Sequence, residues 1–297
     1  MKVLITGSAG QLGQALIHSK PSFAEIIPKT RSELDLANEN ACKQAVQFYK
    51  PDWIINCGAY TSVDNAESEP KLVMAINGTA PRAFAEALSE TGGKILQLST
   101  DFVFNGEQGF PYKTDQVKSP LGVYGFTKAA GEDAIFQVLK GSQQSIILRT
   151  SWVMGSMGNN FLKKMLKLHQ SNRVLRVVSD QVGCPTTTNS LAKACWKIIE
   201  RFPSMDLIKK DPLILHWSEA GVASWYDVAK AIGEIGQMIG LIDRSAKVIP
   251  IMTHDYPTLA KRPSYSLLDC SSTRKILELE ALHWREALSL SLKEITY

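Results

Sequence analysis

No apolar run in the 297-residue chain approaches the roughly 20 residues that a membrane-spanning helix needs. Nor is there a block of like charge. Lys and Arg number 33 against 29 Asp and Glu, a net charge of +4. That balance falls short of a nucleic-acid footprint, although it suits an anionic, phosphate-bearing ligand. The five cysteines (Cys42, Cys57, Cys184, Cys195 and Cys270) are odd in number, scattered and free of any Cys-x-x-Cys spacing. Neither a disulfide framework nor a zinc site fits them. The histidines His18, His169, His216, His254 and His283 are equally dispersed, and no Gly-x-Ser-x-Gly elbow accompanies them. A serine hydrolase is therefore excluded. Repeats and low-complexity tracts are absent, and 44% hydrophobic with 21% charged residues is an ordinary balance for a folded globular chain. The opening Met1-Lys2-Val3-Leu4-Ile5-Thr6-Gly7 is too short an apolar stretch for a signal peptide and reads as a first strand meeting a glycine. The expectation is a cytoplasmic protein with no nucleic-acid or membrane partner.

What is present is an alternation of strand and helix. Val3–Thr6, Glu25–Pro28, Trp53–Cys57, Lys94–Ser99 and Ser145–Thr150 are short, β-branched or apolar, and end in turn residues. Between them, Gln11–Ser19, Asn40–Tyr49 and Val73–Thr91 place apolar residues on one helical face. Near-continuous apolar strands joined through helices predict an α/β fold of Rossmann type, a doubly wound parallel sheet covered on both faces. After Thr150 the strands shorten and prolines cut the connections, while helices are expected at Phe161–Gln170, Asn189–Arg201, Ser224–Ile239 and Arg285–Thr296. This predicts a dinucleotide-binding domain over residues 1–170. A smaller, mainly substrate-binding domain follows over 171–297, with segments free to cross back into the sheet.

Gly7-Ser8-Ala9-Gly10-Gln11-Leu12-Gly13 lies between the first strand and the first helix. The first glycine permits the tight turn, the second lets backbone approach a pyrophosphate, and the third lets helix and strand pack closely. The helix N-terminus then offers N–H groups and a partial positive charge to phosphate. Glycines alone are weak evidence; after a strand and before a helix they become specific. At the end of the second strand, Lys29 and Arg31 precede Glu33 and Asp35. Cations there suit a ribose 2′-phosphate and favour NADPH over NADH, unless they are solvated loop charges.

Tyr124 and Lys128 share one face at the start of a helical stretch. An ammonium beside a phenol lowers the phenol's pKa from near 10, and it can also grip ribose hydroxyls. The same spacing recurs at Tyr226 and Lys230, inside a later helix. Tyr124 differs in following the fourth strand's end at Ser99-Thr100-Asp101, where Thr100 reaches the carboxyl edge of the sheet and could hydrogen-bond a reacting carbonyl.

With these residues in place, the chain resembles the dTDP-4-dehydrorhamnose reductases, extended members of the short-chain dehydrogenases. The likeness runs through Gly7–Gly13, Asp35-Leu36, Pro51-Asp52 and Asn56–Glu67. It continues through Ser99–Phe104, Tyr124–Lys128, Arg149–Val153, Asp180–Thr186 and Lys261–Pro263. It implies hydride reduction of the 4-keto group of a dTDP-linked 6-deoxy sugar, dTDP-4-dehydro-β-L-rhamnose, with NADPH or NADH. By the same likeness Tyr124 is the proton donor, Lys128 its partner and Thr100 the carbonyl contact. Gly7, Gly10, Gln11, Leu12, Gly13, Arg31, Asp35, Leu36, Ala59, Tyr60 and Thr61 would line the cofactor. Thr100, Asp101, Trp152 and Arg262 would contact substrate, Arg262 as a fork for the diphosphate.

Near relatives fit less well. Sugar-nucleotide 4,6-dehydratases carry a glutamate base where this chain has Phe102, and GDP-fucose synthases resemble a variant with a cysteine in the Ser-Thr region that is absent here. Some family members form dimers around magnesium held by glutamates, whereas Thr187, Thr188 and Asn189 follow Pro185 here. No bound metal is expected, and the chain is expected to be a monomer or a homodimer. Two alternatives stay open: a reductase of a different nucleotide-linked 4-keto sugar, and a non-catalytic regulatory subunit like that of methionine adenosyltransferase.

Overall fold

The computed structural model describes residues 1–204 and 212–295. The first half of the chain runs β1 (Lys2–Thr6), α1 (Gln11–His18), β2 (Glu25–Lys29), α2 (Glu39–Tyr49), β3 (Trp53–Asn56), α3 (Val63–Ala66), α4 (Pro70–Met74), α5 (Ala80–Thr91), β4 (Lys94–Thr100), α6 (Val123–Leu139) and β5 (Ser145–Thr150). The second half adds β6 (Val153–Met154), α7 (Phe161–Ser171), β7 (Val174–Val178), β8 (Val182–Gly183), β9 (Thr186–Thr187), α8 (Thr188–Arg201), β10 (Leu213–Trp217), β11 (Ala223–Ser224), α9 (Trp225–Met238), β12 (Lys247–Ile251), α10 (Ser271–Leu277) and α11 (Trp284–Lys293). Thr296, within the last helix expected from sequence, lies outside the described residues. None of the described helices is long and apolar enough to cross a membrane.

Six strands form the central sheet in the order β2-β1-β3-β4-β5-β10, every pair parallel. Each residue of β3 and β5 is buried, as a sheet covered on both faces requires. One cover packs Leu12 and Leu16 of α1 with Leu191, Cys195 and Ile198 of α8. The other packs Cys42 and Val46 of α2 with Phe84 and Leu88 of α5 and Ile135 of α6. Thus α8 and β10 return from the second half to complete the sheet layer. A separate core joins α7, α9 and α11 around Leu166, Ile232 and Leu288, flanked by the parallel β7–β12 pair. Ser224 and Asp227 close a capping box at the start of α9, satisfying two otherwise orphaned N–H donors.

The helix expected over Val73–Thr91 is interrupted. A π turn occupies Ala75–Thr79 between α4 and α5, and Pro81 lies in the first turn of α5. Proline offers no N–H to the preceding turn, so the ladder cannot run through unbroken. The wider turn puts Asn77 to use at the site described next.

Candidate active site

Strand order reverses between β1 and β3, since β2 lies beyond β1 on one side while β4, β5 and β10 follow on the other. A crevice opens outside the carboxyl ends of strands at such a point. The glycine turn lies there. Gly7 adopts φ +61°, in the left-handed region that glycine enters without strain. A Cβ on Gly13 would fall 2.4 Å from the Gly7 carbonyl, so α1 could not approach β1 as closely with any other residue. Gly10 caps α1 with no side chain bonded across its N-terminus. The backbone there is free to receive an anion and so fits a dinucleotide pyrophosphate. Gln11 is held by Asn160, whose amide donates to Gln11 Oε1 at 2.8 Å. Leu12, by contrast, is buried in the sheet-facing core. Its side chain is a packing group, and only its backbone faces the turn.

The two cations after β2 part company. Lys29 lies 4.7 Å from the centroid of the Tyr49 ring, committed to a cation–π contact. Arg31 is exposed and close enough to Tyr60 to act on its phenol. Glu33, although exposed, is engaged by the Thr30 N–H and hydroxyl, from which it accepts at 2.8 Å each, so it does not neutralise the exposed Arg31 through an ion pair. Asp35 is exposed and caps the local turn by accepting from Ala37 N–H at 3.0 Å. Leu36 is buried, its methyl against Gly58 just past β3.

The loop after β3 holds partly buried Ala59 and Tyr60 and exposed Thr61. It is clamped by Asn77, whose Oδ1 accepts from Tyr60 N–H at 2.9 Å and whose Nδ2 donates to Tyr60 O at 3.0 Å. The Tyr60 hydroxyl bonds Glu69. Asn77 was not visible as a site residue in the sequence, because the π turn that aims it has no clear sequence mark.

Thr100, Asp101, Tyr124 and Lys128 converge at the end of β4. Thr100 caps the short turn after the strand, accepting from Phe102 N–H at 3.2 Å and donating to Asp101 Oδ1 at 3.0 Å. Tyr124 meets the Thr100 hydroxyl and stands edge-on to Phe102, ring centroids 5.6 Å apart. Burial pushes its phenol up to about 12, although the contact with Thr100 pulls the other way. This reverses the direction expected from a neighbouring lysine. The cause is where the ammonium goes: Lys128 Nζ donates to the Leu98 carbonyl at 2.6 Å. Burial depresses Lys128 to about 8, opposed by the charges of Glu132 and Cys57. Burial likewise raises Asp101 to about 6. Below this group Arg149 forks onto Glu132 at 2.9 and 2.7 Å. Ser99 also donates to Glu132, locking α6 to β4 and β5.

Trp152 follows β5 with φ +48°, a strained conformation for a side chain of this size. It stacks on Trp225 at 3.8 Å between centroids. Trp225 also lines a cavity of about 390 Å³ with Phe161, Lys164, Arg176, Gln181 and Arg262. Arg262 is already paired, its two terminal nitrogens reaching Asp64 at 2.7 and 3.2 Å. Lys164 and exposed Arg176 are further cations of this cavity that sequence reasoning passed over. A larger groove, about 860 Å³, lies on the sheet flank among Phe23, Lys193, Trp196 and Leu279. It includes none of Thr100, Tyr124 and Lys128. Among the described residues no group of three or more His, Cys, Asp or Glu is placed to hold a metal ion.

The decoy at Tyr226 and Lys230 separates cleanly. Lys230 is exposed and pairs with Glu234 at 3.8 Å, far from the glycine turn in the chain.

The chain is similar to known proteins along almost its whole length. The family model described as RmlD substrate binding domain matches residues 1–297. The chain is 38% identical to a dTDP-4-dehydrorhamnose reductase of Aggregatibacter actinomycetemcomitans over 97% of each chain. Among solved structures it is similar to a reductase of the same name from Clostridium acetobutylicum, with TM-score 0.89, 35% identity and 99% of each chain covered. It is also similar to one from Bacillus anthracis in complex with NADP, with TM-score 0.89, 33% identity and 99% of each chain covered. The chain belongs to the dTDP-4-dehydrorhamnose reductase family, a family of NAD(P)H-dependent oxidoreductases.

Proposed function

We propose that this protein reduces the 4-keto group of dTDP-4-dehydro-β-L-rhamnose to give dTDP-L-rhamnose, with NADPH as the preferred reductant. The observation that carries the reading is the meeting of Thr100, Tyr124 and Lys128 at the carboxyl end of β4, on the same edge of the sheet as the glycine turn that follows β1. The turn over Gly7, Gly10 and Gly13 would hold the pyrophosphate, with Leu36, Ala59, Tyr60 and Thr61 around the nucleoside and Arg31 toward the 2′-phosphate.

A bound reduced dinucleotide supplies a hydride to the sugar's C4. Tyr124 holds the proton that the carbonyl oxygen must receive. A phenol raised to about 12 by burial stays protonated at neutral pH, yet it remains a far stronger acid than the sugar hydroxyl, so its proton passes to the alkoxide that hydride addition leaves on C4. Thr100 orients the phenol and shares its hydroxyl with the reacting oxygen. Lys128, still cationic at neutral pH with a pKa near 8, would offer its remaining N–H groups to the ribose hydroxyls. Phe102 closes one side of Tyr124 with an apolar ring, and no carboxylate base stands at that position to strip a proton from the sugar. Trp152 and Trp225 wall the sugar, and Arg176 with Lys164 offers charge to the diphosphate.

The test is NADPH and NADH oxidation by the purified protein with dTDP-4-dehydro-β-L-rhamnose, with the product's stereochemistry identified. Turnover to dTDP-L-rhamnose supports the reading. Turnover of other 4-keto sugars alone overturns the substrate, and failure on a whole panel of them overturns the reductase.

A further inference from the structure

A chain of buried side chains connects the glycine turn to Lys128. Thr6, Asn56 and Gln97 are register neighbours on β1, β3 and β4, all almost fully buried. The Gly58 N–H donates to Thr6 Oγ1 at 3.1 Å, and the Thr6 hydroxyl donates to Asn56 Oδ1 at 2.6 Å. Asn56 Nδ2 then donates to Gln97 Oε1 at 2.7 Å, and Gln97 Nε2 donates to the Leu98 carbonyl at 2.8 Å. That carbonyl is the oxygen that receives Lys128 Nζ.

The polarity of this chain is forced from the Leu98 end. A carbonyl oxygen can only accept, so Gln97 must present its Nε2 to Leu98 and its Oε1 to Asn56. Asn56 must then donate from Nδ2, which leaves its Oδ1 to accept the Thr6 hydroxyl. Thr6 in turn accepts from the Gly58 N–H. A carbonyl oxygen has two lone pairs, and Gln97 occupies one of them, which leaves a single approach for the ammonium. The carbonyl lies one residue past the last β3–β4 pair, Asn56 with Gln97, on a stretch of β4 that stays paired to β5 as far as Thr100.

We propose that Gln97 is a positioning residue for Lys128: by holding one lone pair of the Leu98 carbonyl, it fixes the direction of the ammonium and so aims its other two N–H groups at the dinucleotide. The cofactor turn at Gly58 and the lysine are in this way set by one continuous network, although they sit on opposite sides of β3. The proposal rests on the reading of Lys128 as a dinucleotide contact.

Binding of NADPH and of dTDP to the full-length wild type, Gln97→Met and Lys128→Met, together with their melting temperatures, tests it. Methionine fills the glutamine's volume without a donor. Gln97→Met is expected to weaken NADPH about fivefold to tenfold, the worth of one misdirected hydrogen bond, and to leave dTDP binding unchanged. Loss of both ligands in step with a lower melting temperature would show a packing role and overturn the proposal, as would wild-type NADPH affinity. Unchanged NADPH binding in Lys128→Met would overturn the lysine's role itself, which separates the two failures. If Gln97→Met does not fold, Gln97→Glu answers the same question. As a carboxylate it cannot donate to Leu98 and draws the ammonium to itself; when protonated it can donate again. Its NADPH deficit relative to wild type should shrink from mildly alkaline to mildly acid buffer, and a deficit independent of pH would overturn the proposal. The groups facing that position are neutral Asn56, the Leu98 carbonyl and Lys128, with Glu132 and Cys57 beyond the lysine.

Discussion

Tyr124–Lys128 and Tyr226–Lys230 are the same four-residue spacing on two helices of one molecule, and they have opposite fates. On α6 the lysine is nine-tenths buried or more, spends a hydrogen bond on the sheet and loses part of its basicity to desolvation. On α9 the lysine is exposed and meets only a loose ion pair. The difference lies in what each helix packs on. The start of α6 packs on the end of β4, where the Leu98 carbonyl accepts from Lys128, while Lys230 on α9 faces water. A titratable pair acquires chemistry from its desolvation and its partners, and spacing alone confers none.

The comparison breaks most sharply in turnover. Tyr124→Phe should cost on the order of 10² to 10⁴ in kcat while NADPH binding survives, and Tyr226→Phe should leave kcat unchanged. Equal kcat in wild type and Tyr124→Phe would remove the tyrosine from the mechanism. Stability should divide the two helices next. Glu132→Gln strands Arg149 in the core and should cost about 3–5 kcal/mol in urea unfolding. Glu234→Gln, at an exposed pair, should cost no more than about 0.5 kcal/mol. A smaller contrast concerns the cofactor edge. Arg31→Ala should weaken NADPH selectively over NADH, whereas Lys29→Ala should not discriminate, because Lys29 is spent on Tyr49. Equal loss of both dinucleotides in Arg31→Ala would make that arginine a general surface charge.

The subtlest contrast is in pH. The folded pKa of Lys128 is depressed to about 8 from the ordinary lysine value of 10.5, so the unfolded chain binds the extra proton between those values. Stability from this group therefore rises with pH across that window. The penalty for burying the ammonium is fully present below about pH 8. Wild-type stability measured relative to Lys128→Met should therefore rise from pH 8 toward pH 10.5, and relative to Lys230→Met it should stay flat. A gap for Lys128→Met that does not change with pH would mean that the lysine is not desolvated.

Much of this was legible from residues alone. The apolar strands and their turn residues marked β1 to β5 within a residue or two, since a doubly covered strand must be apolar throughout. The glycine turn was legible because only glycine meets its backbone and packing demands. Other features were not. The π turn at Ala75–Thr79 came from a proline entering a helix whose periodicity looked unbroken. The fork of Arg262 onto Asp64 joins residues far apart in sequence, and Lys164 and Arg176 line one cavity with Trp225 and Arg262 only because α7 and β7 fold beside each other.

The sequence by itself determined the parallel sheet, the family and the chemical types at the strand ends, because local patterning and residue chemistry suffice for those. Only the tertiary structure decided which lysine is buried, which way the pKa of Tyr124 moves, and that one hydrogen-bonded chain runs from Gly58 to Leu98. Desolvation and hydrogen-bond polarity depend on neighbours brought from distant parts of the chain, and no local pattern encodes them.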